Sequence, residues 1–140
     1  MKRVWLVVSL ALLQSAAAMG QAATLEAAAQ AARQAWLDHD VSGLLAGSSG
    51  VILQIPGADP SSPLGRSQAV ELLRRHLGGA RELSITVVSV REVEPGIGFV
   101  ELARRYVVSG TTDPRRESVF LGLRRVAEGW VLSELRSVGG

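Results

Sequence analysis

The chain has 140 residues, one domain's worth, and 47% of them are apolar, enough for a single core. It contains no cysteine, which excludes disulfides, thiolate zinc sites, cysteine nucleophiles and lipid attachment through a thiol. The formal charge of +2 comes from Lys2 and Arg3; beyond them 13 arginines face 13 aspartates and glutamates. The body of the chain is therefore about neutral and lacks the positive surplus that nucleic acid or an anionic membrane would require.

Lys2 and Arg3, the apolar run Val4 to Leu13 and the small residues Ala16, Ala18, Gly20 and Ala22 occur in the order of a secretory signal peptide. The run is too short to span a bilayer. Residues 1–22 are thus expected to be a leader and residues 23–140 one exported domain, periplasmic or secreted, with no stable membrane span after cleavage.

Thr24 to about Asp38 reads as a helix, with Thr24 as N-cap and Leu25, Ala28, Ala32 and Trp36 on one apolar face. The run from His39 to Gly43 breaks it, and Leu44 and Leu45 fall in a short second helix. Val51 to Ile55 reads as a strand stopped by Pro56 and Gly57, followed by an irregular loop containing Pro60 and Pro63. A helix from about Arg66 to Leu77 would bury Val70, Leu73 and Leu77 and end at Gly78 and Gly79. The remainder reads as four strands in a meander: 83–93, 99–108, 118–126 and 130–136. Turns at Pro95-Gly96 and Glu128-Gly129 and a loop over 110–114 separate them. In the first of these, Leu83, Ile85 and Val87 alternate with Ser84, Thr86 and Val88. Helices followed by hairpin-linked strands predict an α+β fold, with N-terminal helices packed on a strongly curved antiparallel sheet.

Four stretches, in this order and spacing, resemble the nuclear transport factor 2-like superfamily: His39 to Leu45 between the first two helices, Ile55-Pro56-Gly57 ending the first strand, Leu64 to Val70 opening the long helix, and Gly129-Trp130-Val131-Leu132 in the last strand. The resemblance spans about Leu25 to Val138 and implies a cystatin-like cone in which the sheet wraps a pocket closed by helices. It is nearest to exported bacterial members of unknown function. The superfamily includes ketosteroid isomerases, SnoaL-like cyclases and non-catalytic binding and dimerisation domains, so the fold does not choose the function.

The resembling isomerases place their carboxylate base just before the proline that ends the first strand, and here that residue is Ile55. Their oxyanion donors, a tyrosine on the first helix and an aspartate on a late strand, also have no counterpart in the matching stretches. The mature chain has no lysine, which removes Schiff-base chemistry. Candidate acid–base residues are His76, beside the apolar face of the long helix, Tyr106, which reads equally as a core aromatic, and Asp40. His39, flanked by Asp38 and Asp40, reads as a solvated helix cap. The two histidines have no metal-ligand spacing, and neither a metal nor a cofactor is expected. The charges of the late strands, Arg104, Arg105, Arg116 and Glu117 among them, read as a solvated outer face laced with ion pairs, or as a dimer face or a site for an acidic ligand. These readings favour a non-catalytic domain over an enzyme, holding a small apolar or amphipathic ligand or a partner protein in a pocket lined by Trp36, Leu73, Leu77, Phe99 and Phe120. An isomerase, cyclase or hydratase with a non-standard acid–base set, and a structural homodimer pairing through the outer sheet face, are the alternatives.

Overall fold

The computed structural model describes residues 24–139; the leader-like segment 1–22 lies outside them. Helix α1 spans Leu25–Leu37, α2 Val41–Leu44 and α3 Arg66–Gly78; the strands are β1 Gly50–Gln54, β2 Leu64–Gly65, β3 Ala80–Glu94, β4 Ile97–Val108, β5 Arg115–Val126 and β6 Gly129–Gly139. None of the described helices is long and apolar enough to cross a membrane.

Helix α1 starts where the Thr24 hydroxyl accepts from the Ala27 N–H at 3.1 Å, satisfying one of the otherwise unpaired first-turn donors. Its buried stripe is Leu25, Ala28, Ala29, Ala32 and Trp36, the 3.6-residue period read from the sequence. The alanines keep this face thin, so the helix lies close against the sheet. At Gly98 of β4 a side chain would come within 2.6 Å of Leu25 Cδ1, so this contact depends on glycine. At the start of α3 the Gln68 side chain accepts from the Gly65 N–H at 3.3 Å. The residues that α3 buries are Ala69, Leu73 and Leu77; Val70 is only partly covered, one position round from the expected stripe.

The six strands form one open sheet in the order β2-β1-β6-β5-β4-β3. The meander β3 to β6 is antiparallel throughout. The expectation of an all-antiparallel sheet needs one correction: β1 runs parallel to β6, with Ile52 opposite Glu134 and Gln54 opposite Arg136. A hairpin forces its strands antiparallel, but β1 and β6 are separated by a helix and four strands, and no turn constrains their direction. Register shifts interrupt the β3–β4 ladder at Glu82/Ser84, Val87/Ser89 and Glu92/Glu94, and the β5–β6 ladder at Gly122/Leu123. Such bulges bend a strand and sharpen its twist, which is how a sheet of long strands wraps its helices.

The core lies between the helices and the inner face of this sheet. Trp36, Leu44, Leu45, Leu73 and Leu77 meet Leu102, Leu121, Leu123, Leu132 and Leu135 there, all fully buried. Each such leucine contributes about 1.5–3 kcal/mol relative to exposure. The bulge after Glu82 alters the expected alternation on β3. It turns Leu83 out, 37% exposed, and sets Glu82 opposite Tyr106 and Ile85 opposite Arg104, so that Glu82 shares the inner face with Ile85 and Val87.

Candidate functional site

The inner face of the sheet is apolar except at one end. There, where β3 begins, β4 ends and β5 begins, it carries Glu82, Arg104, Tyr106 and Glu117. Strand parity places them: along β4, Val100, Leu102, Arg104 and Tyr106 alternate inward, and along β5, Glu117, Val119 and Leu121 do the same. The helix side adds Trp36 from the last turn of α1, His39 from the α1–α2 link and His76 from α3.

Arg104 is the hub, only 3% exposed. Its Nε donates to Glu82 Oε2 at 2.9 Å and its second terminal nitrogen to Glu82 Oε1 at 2.6 Å, a two-pronged pair of the kind arginine forms best. Its remaining nitrogen reaches both Glu117 oxygens at 3.4 Å. The guanidinium lies 3.9 Å from the centre of the Tyr106 ring and 5.3 Å from that of Trp36, within cation–π range. His39 Nε2 stands 3.0 Å from Glu82 Oε1, held there by a left-handed backbone at His39, φ 52°. His76 Nε2 stands 3.7 Å from Glu117 Oε1, beyond hydrogen-bond length. The cluster thus runs His39, Glu82, Arg104, Glu117, His76, with one net negative charge when both imidazoles are neutral.

Burial pushes the Glu117 carboxyl up, but the adjacent His76 ring, the Arg104 charge and the Tyr106 hydroxyl outweigh it and hold the group below its ordinary value. Burial and the neighbouring Glu117 carboxylate push the Tyr106 phenol up. Glu117 is therefore a fixed anion and Tyr106 a fixed donor near neutral pH. A carboxylate stabilised in this way is a poor proton acceptor. Among the described residues Trp36 Nε1, His76 Nε2 and Ser137 Oγ are buried without a hydrogen-bond partner. No group of three or more histidine, cysteine, aspartate or glutamate residues in that range is arranged to hold a metal ion.

Beside this cluster opens a cleft of ≈ 620 Å³ lined by Pro56, Tyr106, Pro114, Arg115, Glu117 and Gly139 among others, within the size range of small-molecule sites. Ile55, the residue at the isomerase-base position, immediately precedes Pro56 on its rim.

The residues singled out from sequence fall in three places. His76 and Tyr106 converge on Glu117. Asp40 does not join them: its carboxylate caps α2 by accepting from the Gly43 N–H at 3.0 Å. Trp36, Leu73 and Leu77 are packed in the core, whereas Phe99 and Phe120 stand 41% and 40% exposed on the opposite face, where they line a depression of ≈ 530 Å³ with Gly122, Glu134, Arg136 and Val138. The five expected pocket residues thus lie on two sides of the sheet. Side-chain parity rather than ring size decides this, because Phe99 alternates with Val100 and Phe120 with Leu121. Arg104 and Glu117 leave the expected solvated face for the interior, and His39 stands within hydrogen-bond distance of Glu82 rather than capping freely in solvent. The parity signal for Arg104 and Glu117 was present in the sequence. That for Glu82 was not, since it depends on the bulge at Leu83.

No family model matches the chain, and no curated protein does. Solved structures do. A ketosteroid isomerase-like protein from Erwinia carotovora atroseptica superposes with a TM-score of 0.70 at 20% identity, covering 82% of this chain and 92% of that one. A protein from Streptomyces avermitilis, provisionally described as a dehydratase from the NTF2-like family, gives 0.59 at 16% identity, covering 79% and 89%. A domain of unknown function with a cystatin-like fold from Nostoc punctiforme gives 0.58 at 16% identity, covering 79% and 72%. The fold is that of the nuclear transport factor 2-like superfamily. Identities this low carry the fold and nothing about activity.

Proposed function

We propose that this is a non-catalytic binding domain of the cell envelope that takes a small amphipathic ligand in the cleft beside Tyr106. One observation carries the reading: both inward carboxylates, Glu82 and Glu117, are engaged by Arg104, so neither is a free base, while Tyr106, Pro56 and Pro114 offer the cleft apolar surface. Ile55 at the isomerase-base position supports the same reading. Export rests on Lys2, Arg3 and the apolar and small residues that follow them. Native mass spectrometry of the protein from its own host's periplasm tests both. The expected result is a chain shortened by its first 18 to 22 residues, carrying a stoichiometric extra mass that Tyr106→Ala loses. A bare mass, or one that Tyr106→Ala retains, overturns the ligand reading, and a full-length chain overturns export.

A second reading, self-association through the outer face of the sheet, is favoured by the exposed Phe99, Phe120 and Val138 around Gly122. Sedimentation at micromolar concentration tests it: a dimer that Phe120→Glu dissociates supports it, and a monomer removes it.

A further inference from the structure

On the outer face of the sheet, away from the buried cluster, Arg105 of β4 and Arg116 of β5 are direct cross-strand partners. Both are exposed, and among the described residues neither takes part in an ion pair. Side chains in such a pair have Cβ atoms about 4.5–5.5 Å apart, and like charges placed there destabilise the sheet. The next outward carboxylate along β4 is Glu101, four residues and so roughly 13 Å away. The carboxylate of Glu117, next in chain to Arg116, points through to the other face, onto Arg104. The charge pair is therefore uncompensated on its own face.

Its surroundings are built from donors. Ser84 lies opposite Arg105 across the β3–β4 ladder, and in the adjacent row Thr86, Ala103 and Ser118 lie side by side. Together with the two arginines these residues line a hollow of ≈ 370 Å³, and Arg104 and Glu117, whose side chains pair on the inner face, complete its lining; the small Ala103 leaves room at its centre. Two guanidinium groups with five N–H donors each and three hydroxyls exceed what the two oxygens of a carboxylate can accept. They suit an anion with three or more oxygens and a charge near −2, which describes a phosphate monoester or free phosphate.

We propose that Arg105 and Arg116, with Ser84, Thr86 and Ser118, form a phosphate-binding site on the outer face of the sheet. The anion bridges the two guanidinium groups and relieves their repulsion. Arg116 also borders the cleft beside Tyr106, whereas Arg105 does not, so Arg105 is the residue that separates this site from the ligand cleft.

The experiment is titration of the full domain with inorganic phosphate at low ionic strength, followed by calorimetry and thermal melting, with sodium chloride of matched ionic strength as control. The expected result is saturable one-to-one binding and a melting temperature that rises with phosphate and not with chloride. Arg105→Gln is expected to weaken binding by about tenfold or more, as loss of a charge-assisted hydrogen bond does, and to melt no lower than the parent without phosphate. Arg105→Lys, which keeps the charge and loses the fork, should fall between the two. Vesicles of phosphatidic acid in phosphatidylcholine locate the source: co-sedimentation lost in Arg105→Gln assigns the phosphate to a lipid headgroup, and binding of inorganic phosphate alone assigns it to a soluble phosphate. Identical responses to phosphate and chloride, or equal phosphate binding by Arg105→Gln, overturn the proposal. So does a phosphate-free dimer that Arg105→Gln dissociates, because a neighbouring copy would then fill the hollow. Tyr106→Ala should leave phosphate binding unchanged, which keeps a failure here distinct from a failure of the ligand cleft.

Discussion

The two faces of the sheet treat charge in opposite ways. On the inner face Arg104 is enclosed by two carboxylates and two aromatic rings, and almost none of it meets water. One residue along β4, Arg105 lies in solvent with another arginine as its cross-strand neighbour. A buried charge without partners would cost several kcal/mol, so the inner arginine must be completely satisfied for the chain to fold. An exposed charge is solvated whatever its neighbours, so the outer arginines are free to serve a ligand. Adjacent arginines in one strand thus meet opposite surroundings, and strand parity decides which is buried.

The largest effect should come from Arg104→Met, which leaves Glu82 and Glu117 buried without the cation they share. We expect a loss of about 3–5 kcal/mol in urea denaturation. A loss below about 1 kcal/mol would show that the cluster is hydrated and the contrast between faces is false. Next in size is the pair Leu121→Ala and Phe120→Ala on β5. The buried leucine should cost about 2–5 kcal/mol. The neighbouring exposed phenylalanine should cost less than about 1 kcal/mol. Equal costs would place Phe120 in a packed interface rather than on an open face.

A smaller effect should appear in the pH dependence. Glu117 in the folded chain titrates below its ordinary value of 4.5. The unfolded chain therefore takes up its proton first, and the stabilisation present above pH 4.5 is lost as pH falls through the folded value. Tyr106 is raised above 10.0, so its contribution has the reverse sign: present below pH 10.0 and lost as pH rises through the folded value. Melting temperature recorded from neutral to acid pH should fall more steeply for the parent than for Glu117→Gln, and parallel curves would remove Glu117 as the cause. The smallest effect is that of Arg116→Gln on the outer face, expected within about 0.5 kcal/mol and in the stabilising direction, since it removes a like-charge neighbour. A clear loss of stability would mean that Arg116 has a partner on that face.

Local sequence rules determined most of the element order. The Thr24 cap, the alanine-rich stripe of α1 and the turns at Pro95-Gly96 and Glu128-Gly129 act over a few residues, and each is found where the residues put it; the break after α1 is shorter than expected, because Asp40 caps α2 and the helix already begins at Val41. The order and spacing of four weak motifs then sufficed to indicate the nuclear transport factor 2-like fold. Strand parity also carried part of the site, since Arg104 and Tyr106 share it with Val100 and Leu102, and Glu117 shares it with Val119 and Leu121. What parity could not carry was left to the tertiary structure: the parallel pairing of β1 with β6, the bulge that turns Glu82 inward and Leu83 out, and the reach of His39 across 43 residues to Glu82. A register shift and a long-range pairing are decided by packing between segments distant in the chain, and no local pattern encodes them. For that reason the sequence alone described charged strands, and only the folded chain separated one buried, paired arginine from two exposed, unpaired ones.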